Sequence, residues 1–303
     1  MRPFIYTIFA LIAFAFNSIL CRLALRGDEA DAAGFTGVRL ASGAAALIVI
    51  SYLADKGGNL SGSEGVPHVE DRQRKNTLPT GRVSAFVRCG SWPSAFFLFA
   101  YAACFSFAYL GLTAGTGALI LFGSVQMTMI AVTIIRGERP SALEWLGLVV
   151  ALAGLVYLVF PGLASPPLVS SLLMAVAGMA WAGYTLRGKG SSDPLADTTG
   201  NFVRSLPFAA VIAVIYLPNL QLSERGIILA VLSGAVTSGI GYAIWYAALK
   251  YHTSTRAAVL QLAVPVIAAV LGVVVLGEVA TTRLGIAAGL ILGGIGATIL
   301  SKK

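Results

Sequence analysis

Apolar residues fall in ten runs, separated by polar breaks. They cover roughly residues 3–25, 33–54, 91–110, 114–136, 142–160, 167–187, 198–217, 226–249, 255–277 and 281–301. A helix crosses the hydrocarbon of a bilayer with about 20 apolar residues. Helices satisfy their own backbone hydrogen bonds there, without water. The pattern therefore predicts an all-α polytopic membrane protein of ten transmembrane helices. Very short breaks, such as "LTAG" and "PGLASPP", predict tight antiparallel neighbours. One break is long. Residues 55–90 are polar and rich in Gly, Ser and Pro, without helical period until near their end, which predicts a flexible surface loop.

Composition agrees with this reading. The 303 residues are 57% hydrophobic and 11% charged, with mean hydropathy +0.84, where soluble domains are about 25% charged. The formal net charge of +8 would suggest nucleic acid in a soluble chain. Here the basic residues sort by side of the membrane instead. With a cytoplasmic N-terminus, 15 of the 21 fall on inner segments and four, Arg22, Arg26, Arg225 and Arg283, on outer ones. That split predicts both termini in the cytoplasm and no nucleic-acid partner. The first run follows Arg2 and lacks a small-residue cleavage site, so it reads as a retained span. Cys21, Cys89 and Cys104 are scattered, which argues against a disulfide framework or a metal site.

The two remaining basic residues, Arg39 and Arg204, each lie two turns inside a span. They are 165 residues apart, and the same offset carries Arg22 onto Arg187 and Phe16 onto Trp181. Further on, an offset of 140 carries Gly137-Glu138 onto Gly277-Glu278 and Thr113 onto Thr253. The chain thus divides into residues 1–160, holding the long loop, and 161–303. Each half has five spans. Five is odd, so the halves enter the membrane from opposite sides and form an inverted repeat, the arrangement of many secondary transporters.

The run "GYAIWYAALKYHTSTRAAVLQLAVPVIAAVLGVVVLGEVATTRLGIAAGLILGG" resembles the second half of a ten-helix EamA-type member of the drug/metabolite transporter superfamily. W-Y-A-A-L-K, the helix with Pro265, Gly277-Glu278 and the Gly-rich last helix carry the resemblance. "RLASGAAAL" and Gly137-Glu138 form a weaker first copy, with Val125-Gln126 in place of the proline. The resemblance implies export or facilitated movement of small metabolites across a bacterial inner membrane, and YddG-like exporters of amino acids, aromatic ones included, are the nearest group. Alternating access between the halves is the implied mechanism.

The candidate chemistry is sparse. All thirteen acids, and both histidines, fall in loops or at span ends. A proton relay inside the membrane is therefore not visible, which favours a facilitator over a proton-coupled drug or nucleoside exporter. No catalytic constellation lies at depth, so the chain is read as a non-enzyme without cofactor. Span centres also lack Lys and Arg, so the expected solute is neutral or zwitterionic. Asn17, Gln126 and Gln261 are amides inside spans, and amides both donate and accept. Tyr101, Trp181 and Tyr242 are the aromatic cavity candidates, beside Tyr184, Trp245 and Tyr246, with interfacial belts as the alternative. Pro265 removes a helical donor and is expected to kink its helix. Arg39 and Arg204 are expected to snorkel, or to lock onto a helix end or the opposite half's Gly-Glu turn, Glu278 and Glu138 respectively, as structural or gating elements. Gly285, Gly289 and Gly293 form a small-residue ladder that allows close helix approach, within the bundle or across a homodimer seam.

Overall fold

A computed structural model describes residues 2–60, 89–135, 137, 142–160, 165–188, 191–249, 251, 260–261 and 263–300. The helices are α1 (Arg2–Arg26), α2 (Ala32–Leu60), α3 (Trp92–Ala108), α4 (Ala114–Ile135), α5 (Ala142–Val159), α6 (Leu168–Gly188) and α7 (Pro194–Ile215). A short 3₁₀ turn, Leu217–Asn219, follows. Then come α8 (Glu224–Val231), a π-helical stretch Leu232–Ile240, and α9 (Gly241–Leu249), consecutive in the chain. The last two are α10 (Ala263–Leu276) and α11 (Thr282–Leu300). Among the described residues six helices are long and apolar enough to cross a membrane, and four shorter apolar helices accompany them.

Local chemistry sets several ends that apolar runs alone place only to within a few residues. Asp193 accepts from the Ala196 N–H, with Pro194 at the first helical position, so α7 starts at Pro194 rather than 198. Ser223 accepts from the Gly226 N–H and starts α8. Ser91 caps α3 in the same way. Gly277, at φ +62°, follows the end of α10, a conformation glycine adopts without steric cost. One end differs more. α2 continues to Leu60, six residues past the expected 54. The polar "DKGGNL" carries no proline to stop it, and a helix leaving the apolar region need not end there. The rest of the long loop, residues 61–88, lies outside the described residues.

The outside of the bundle is apolar, and its interior mixes apolar with small polar side chains. Val149, Leu152, Val214 and Val274 are exposed on its outside, while Ser106, Thr199, Ser205, Ser233 and Ser238 are buried. α1 packs against α9, the π-helical stretch and α10. α6 packs against α3 and α4. α2 lies on α7 and on the π-helical stretch, α4 on α10, and α5 on α11. The α5–α11 seam does not use the expected glycine ladder. A Cβ at Gly285, Gly289 or Gly293 would meet nothing, whereas one at Gly294 would strike the Gly147 carbonyl oxygen at 2.5 Å. Gly294 is one residue on, about 100° around the helix, so the ladder faces away from the bundle.

Candidate functional site

Near mid-helix, α1, α3, α4, α6 and α9 converge on a narrow pocket. Asn17, Tyr101, Trp181 and Tyr242 line it, four of the six residues expected to face a cavity. Phe14, Phe105, Leu121 and Phe122 complete the wall. The sequence carried a signal for two of these. Phe14 is three residues before Asn17 and Phe105 four after Tyr101, spacings that share a helix face. Trp181 is the hub of the rings, with centroids 4.9 Å from Tyr101 and 4.8 Å from Tyr242. Phe14 meets Trp181 edge-on at 6.2 Å. The rings leave room for little more than a water molecule, so a larger solute enters only when the helices part.

Gln126 and Gln261 are buried but are not in the pocket wall. The Nε2 of Gln126 has no acceptor among the described residues. Tyr184, Trp245 and Tyr246 are also buried rather than forming an exposed belt. Pro265 is buried near the start of α10 as described.

A polar cluster backs the aromatic wall. Asn17 donates from Nδ2 to the Tyr101 hydroxyl at 3.3 Å. Its Oδ1 accepts from Ser233 at 2.6 Å and from Thr237 at 3.1 Å. Both hydroxyls lie on the π-helical stretch. Such stretches re-aim side chains within a helix and recur at functional sites. Gly234, on the same stretch, lets it touch α2, since a Cβ there would sit 2.1 Å from the Arg39 carbonyl oxygen.

Arg39 is the residue whose position departs most from expectation. It neither snorkels nor reaches Glu278. It is 1% exposed. Its Nε donates to Ser238 at 3.1 Å, and its Nη2 to the hydroxyls of Tyr101 at 3.1 Å and Tyr242 at 3.4 Å. The guanidinium carbon lies 5.2 Å from the Tyr101 ring centroid and 5.0 Å from that of Phe105. Tyr101 stands at the middle of α3, so the charge is deep in the bundle. The expectation of a cation-free interior is therefore corrected. α2 lies on α7 and the π-helical stretch, so its inward side chains meet Tyr101 and Tyr242, not the end of α10.

Glu278 is held by a different arginine. α10 packs against α1, and Arg22 of α1 meets Glu278 at 3.3 Å, with both side chains largely buried. The other carboxylate oxygen accepts from the Ala114 N–H at 2.8 Å, at the start of α4. Arg22 also donates to the Tyr109 carbonyl at 2.9 Å, and Arg26 to that of Leu276 at 2.7 Å. Arg283 caps the end of α5, donating to the Tyr157 carbonyl at 2.7 Å. Together these bonds tie α1, α3, α4 and α10 at one end of the bundle. Arg204, toward the opposite end, donates to the carbonyls of Cys89 and Gly200. Its expected partner Glu138 lies outside the described residues. Arg187 donates to Ser94 at 3.1 Å at that same end. Among the described residues no group of three or more His, Cys, Asp or Glu is placed to hold a metal ion.

Comparison with known proteins gives matches of three kinds. An uncharacterized protein of Pseudomonas aeruginosa, PA1977, is 43% identical over 302 residues, covering all of this chain and 96% of its own length. A solved crystal structure matches at 18% identity with a TM-score of 0.61, over 99% of this chain and 98% of that one. The fold is thus shared along the whole length. Residues 168–300 match the EamA-like transporter family. The chain therefore belongs to one family with PA1977, and the match of its second half to the EamA-like transporter family supports the drug/metabolite transporter superfamily and a membrane transporter.

Proposed function

We propose that the protein is a secondary transporter, a facilitator or exchanger of small neutral or zwitterionic metabolites, amino acids with aromatic side chains foremost, in the bacterial inner membrane. The observation that carries this is the pocket. Its wall is drawn from both halves of the chain, Asn17 and Tyr101 from the first, Trp181 and Tyr242 from the second. A pocket of rings with a few placed polar groups suits a small amphipathic solute.

The packing supports two five-helix halves related as an inverted repeat. Counting α8 to α9 as one span, exchanging each helix with the one five spans later turns the contacts of α1 with that span and with α10 into those of α6 with α3 and α4. The α2–α7, α4–α10 and α5–α11 contacts map onto themselves. Such a molecule can rock one half against the other around a site at their interface, which is alternating access.

The test is transport by purified protein in liposomes loaded with radiolabelled amino acids, with and without a pH gradient. Flux above that of empty liposomes, independent of the gradient, is expected. Flux that requires the gradient indicates a proton-coupled exporter of the same fold. No amino-acid flux at all, with flux of nucleosides or hydrophobic cations instead, removes the substrate assignment.

A further inference from the structure

We propose that Arg39 is the substrate anchor of this pocket and that it holds a carboxylate. The proposal rests on the transporter reading above and sharpens it. The transported solute carries one negative group on an apolar or aromatic body.

The argument starts from charge. A buried arginine remains protonated, and a buried charge is costly unless it is paired. Arg39 is 1% exposed. Its partners, Ser238, Tyr101 and Tyr242, are neutral hydroxyls. No carboxylate lies within ion-pair distance of it among the described residues, whereas Arg22 and Arg225 each meet one. Its Nη1 has no acceptor among the described residues. That nitrogen is bonded to the same carbon as Nη2, which donates to two hydroxyls of the pocket wall. Arg39 lies behind the pocket wall, at the Tyr101 and Tyr242 hydroxyls, and a carboxylate that parts those rings can take the fork of both nitrogens, the strongest geometry available to arginine. The 3.4 Å bond to Tyr242 is the weakest of the three and the one it would displace.

The neighbours complete an anion site. The Tyr101 oxygen accepts from both Arg39 and Asn17, so its own O–H is left to donate. The Asn17 oxygen is already taken by Ser233 and Thr237. The cluster thus offers donors and almost no acceptors. A single guanidinium matches a monoanion better than a phosphate dianion, and Trp181, Phe14 and Phe105 offer ring surface for the body. An ammonium group, where the solute has one, can sit only on ring faces. Neutral solutes lack the group that Arg39 is placed to hold.

The experiment is ligand binding to the full chain in detergent, read by thermal stabilisation and by tryptophan fluorescence. The probes are phenylacetate and phenylacetamide, which differ in charge but hardly in shape. Wild type is expected to bind phenylacetate at least about tenfold more tightly than the amide. Arg39→Gln is expected to bind both equally. If that variant does not fold, Tyr101→Phe, which removes the hydroxyl left to donate, is expected to weaken phenylacetate several-fold and the amide less. Equal binding of the two probes to wild type, or a preference that survives in Arg39→Gln, overturns the anchor. If liposomes move only neutral or cationic solutes, the transporter reading stands and the anchor falls. If phenylacetate binds through Arg39 but no solute moves, the anchor stands and the transporter reading falls.

Discussion

Arg22 and Arg39 are arginines on neighbouring helices, and the protein treats them oppositely. Arg22 meets a carboxylate, Glu278, and a backbone carbonyl. Arg39, deeper and less exposed, meets hydroxyls and ring faces and no carboxylate among the described residues. The first arrangement is what a protein does to hold helices together. The second leaves a charge less than fully compensated, and such sites in membrane interiors are retained for function. The difference separates a tie at the end of the bundle from a site at its centre.

The largest expected effect comes from breaking the tie. Glu278→Gln leaves a largely buried Arg22 without its counter-charge and should cost about 3 kcal/mol. Thermal unfolding of the purified protein in detergent should show this as a clear loss of melting temperature. Gly234→Leu comes next. Its side chain would collide with the α2 backbone at Arg39, and forcing atoms into that contact should cost about 1–3 kcal/mol. Asn17→Leu strips Ser233 of its side-chain acceptor, while Thr237 keeps the Ser233 carbonyl. The expected cost is about 1–2 kcal/mol, with weaker binding of solute because Tyr101 is no longer oriented. The sharpest contrast is also the smallest shift. Arg39→Met replaces the uncompensated charge by an apolar chain of similar length, and its melting temperature should stay level or rise slightly. A fall as large as that of Glu278→Gln would mean that Arg39 is a structural tie like Arg22.

Much of this was legible in the sequence. Apolar runs located the helices, because helix length in a bilayer is set by hydrocarbon thickness. Asn17, Tyr101, Trp181 and Tyr242 stood out as polar or polar-tipped groups inside apolar runs, and they do meet around one pocket. What hydropathy does not contain is rotation and neighbourhood. It placed Arg39 two turns from a helix end, where a long side chain in lipid would snorkel. It did not say that this face of α2 points inward at Tyr101. It put Glu278 at the correct end of its helix but could not show that α10 lies on α1, which makes Arg22 the partner. The glycine ladder shows the same gap. Its spacing is that of a packing seam, yet Gly294, one step around the helix, makes the close approach to α5.

The most direct test of the central claim is counterflow of radiolabelled L-phenylalanine in liposomes holding either wild type or Arg39→Gln at matched protein content. Wild type should accumulate tracer against empty-liposome controls, and Arg39→Gln should lose at least about nine-tenths of that flux while keeping its melting temperature. Equal counterflow by the two proteins, or none by wild type, contradicts an aromatic pocket whose substrate is held by Arg39.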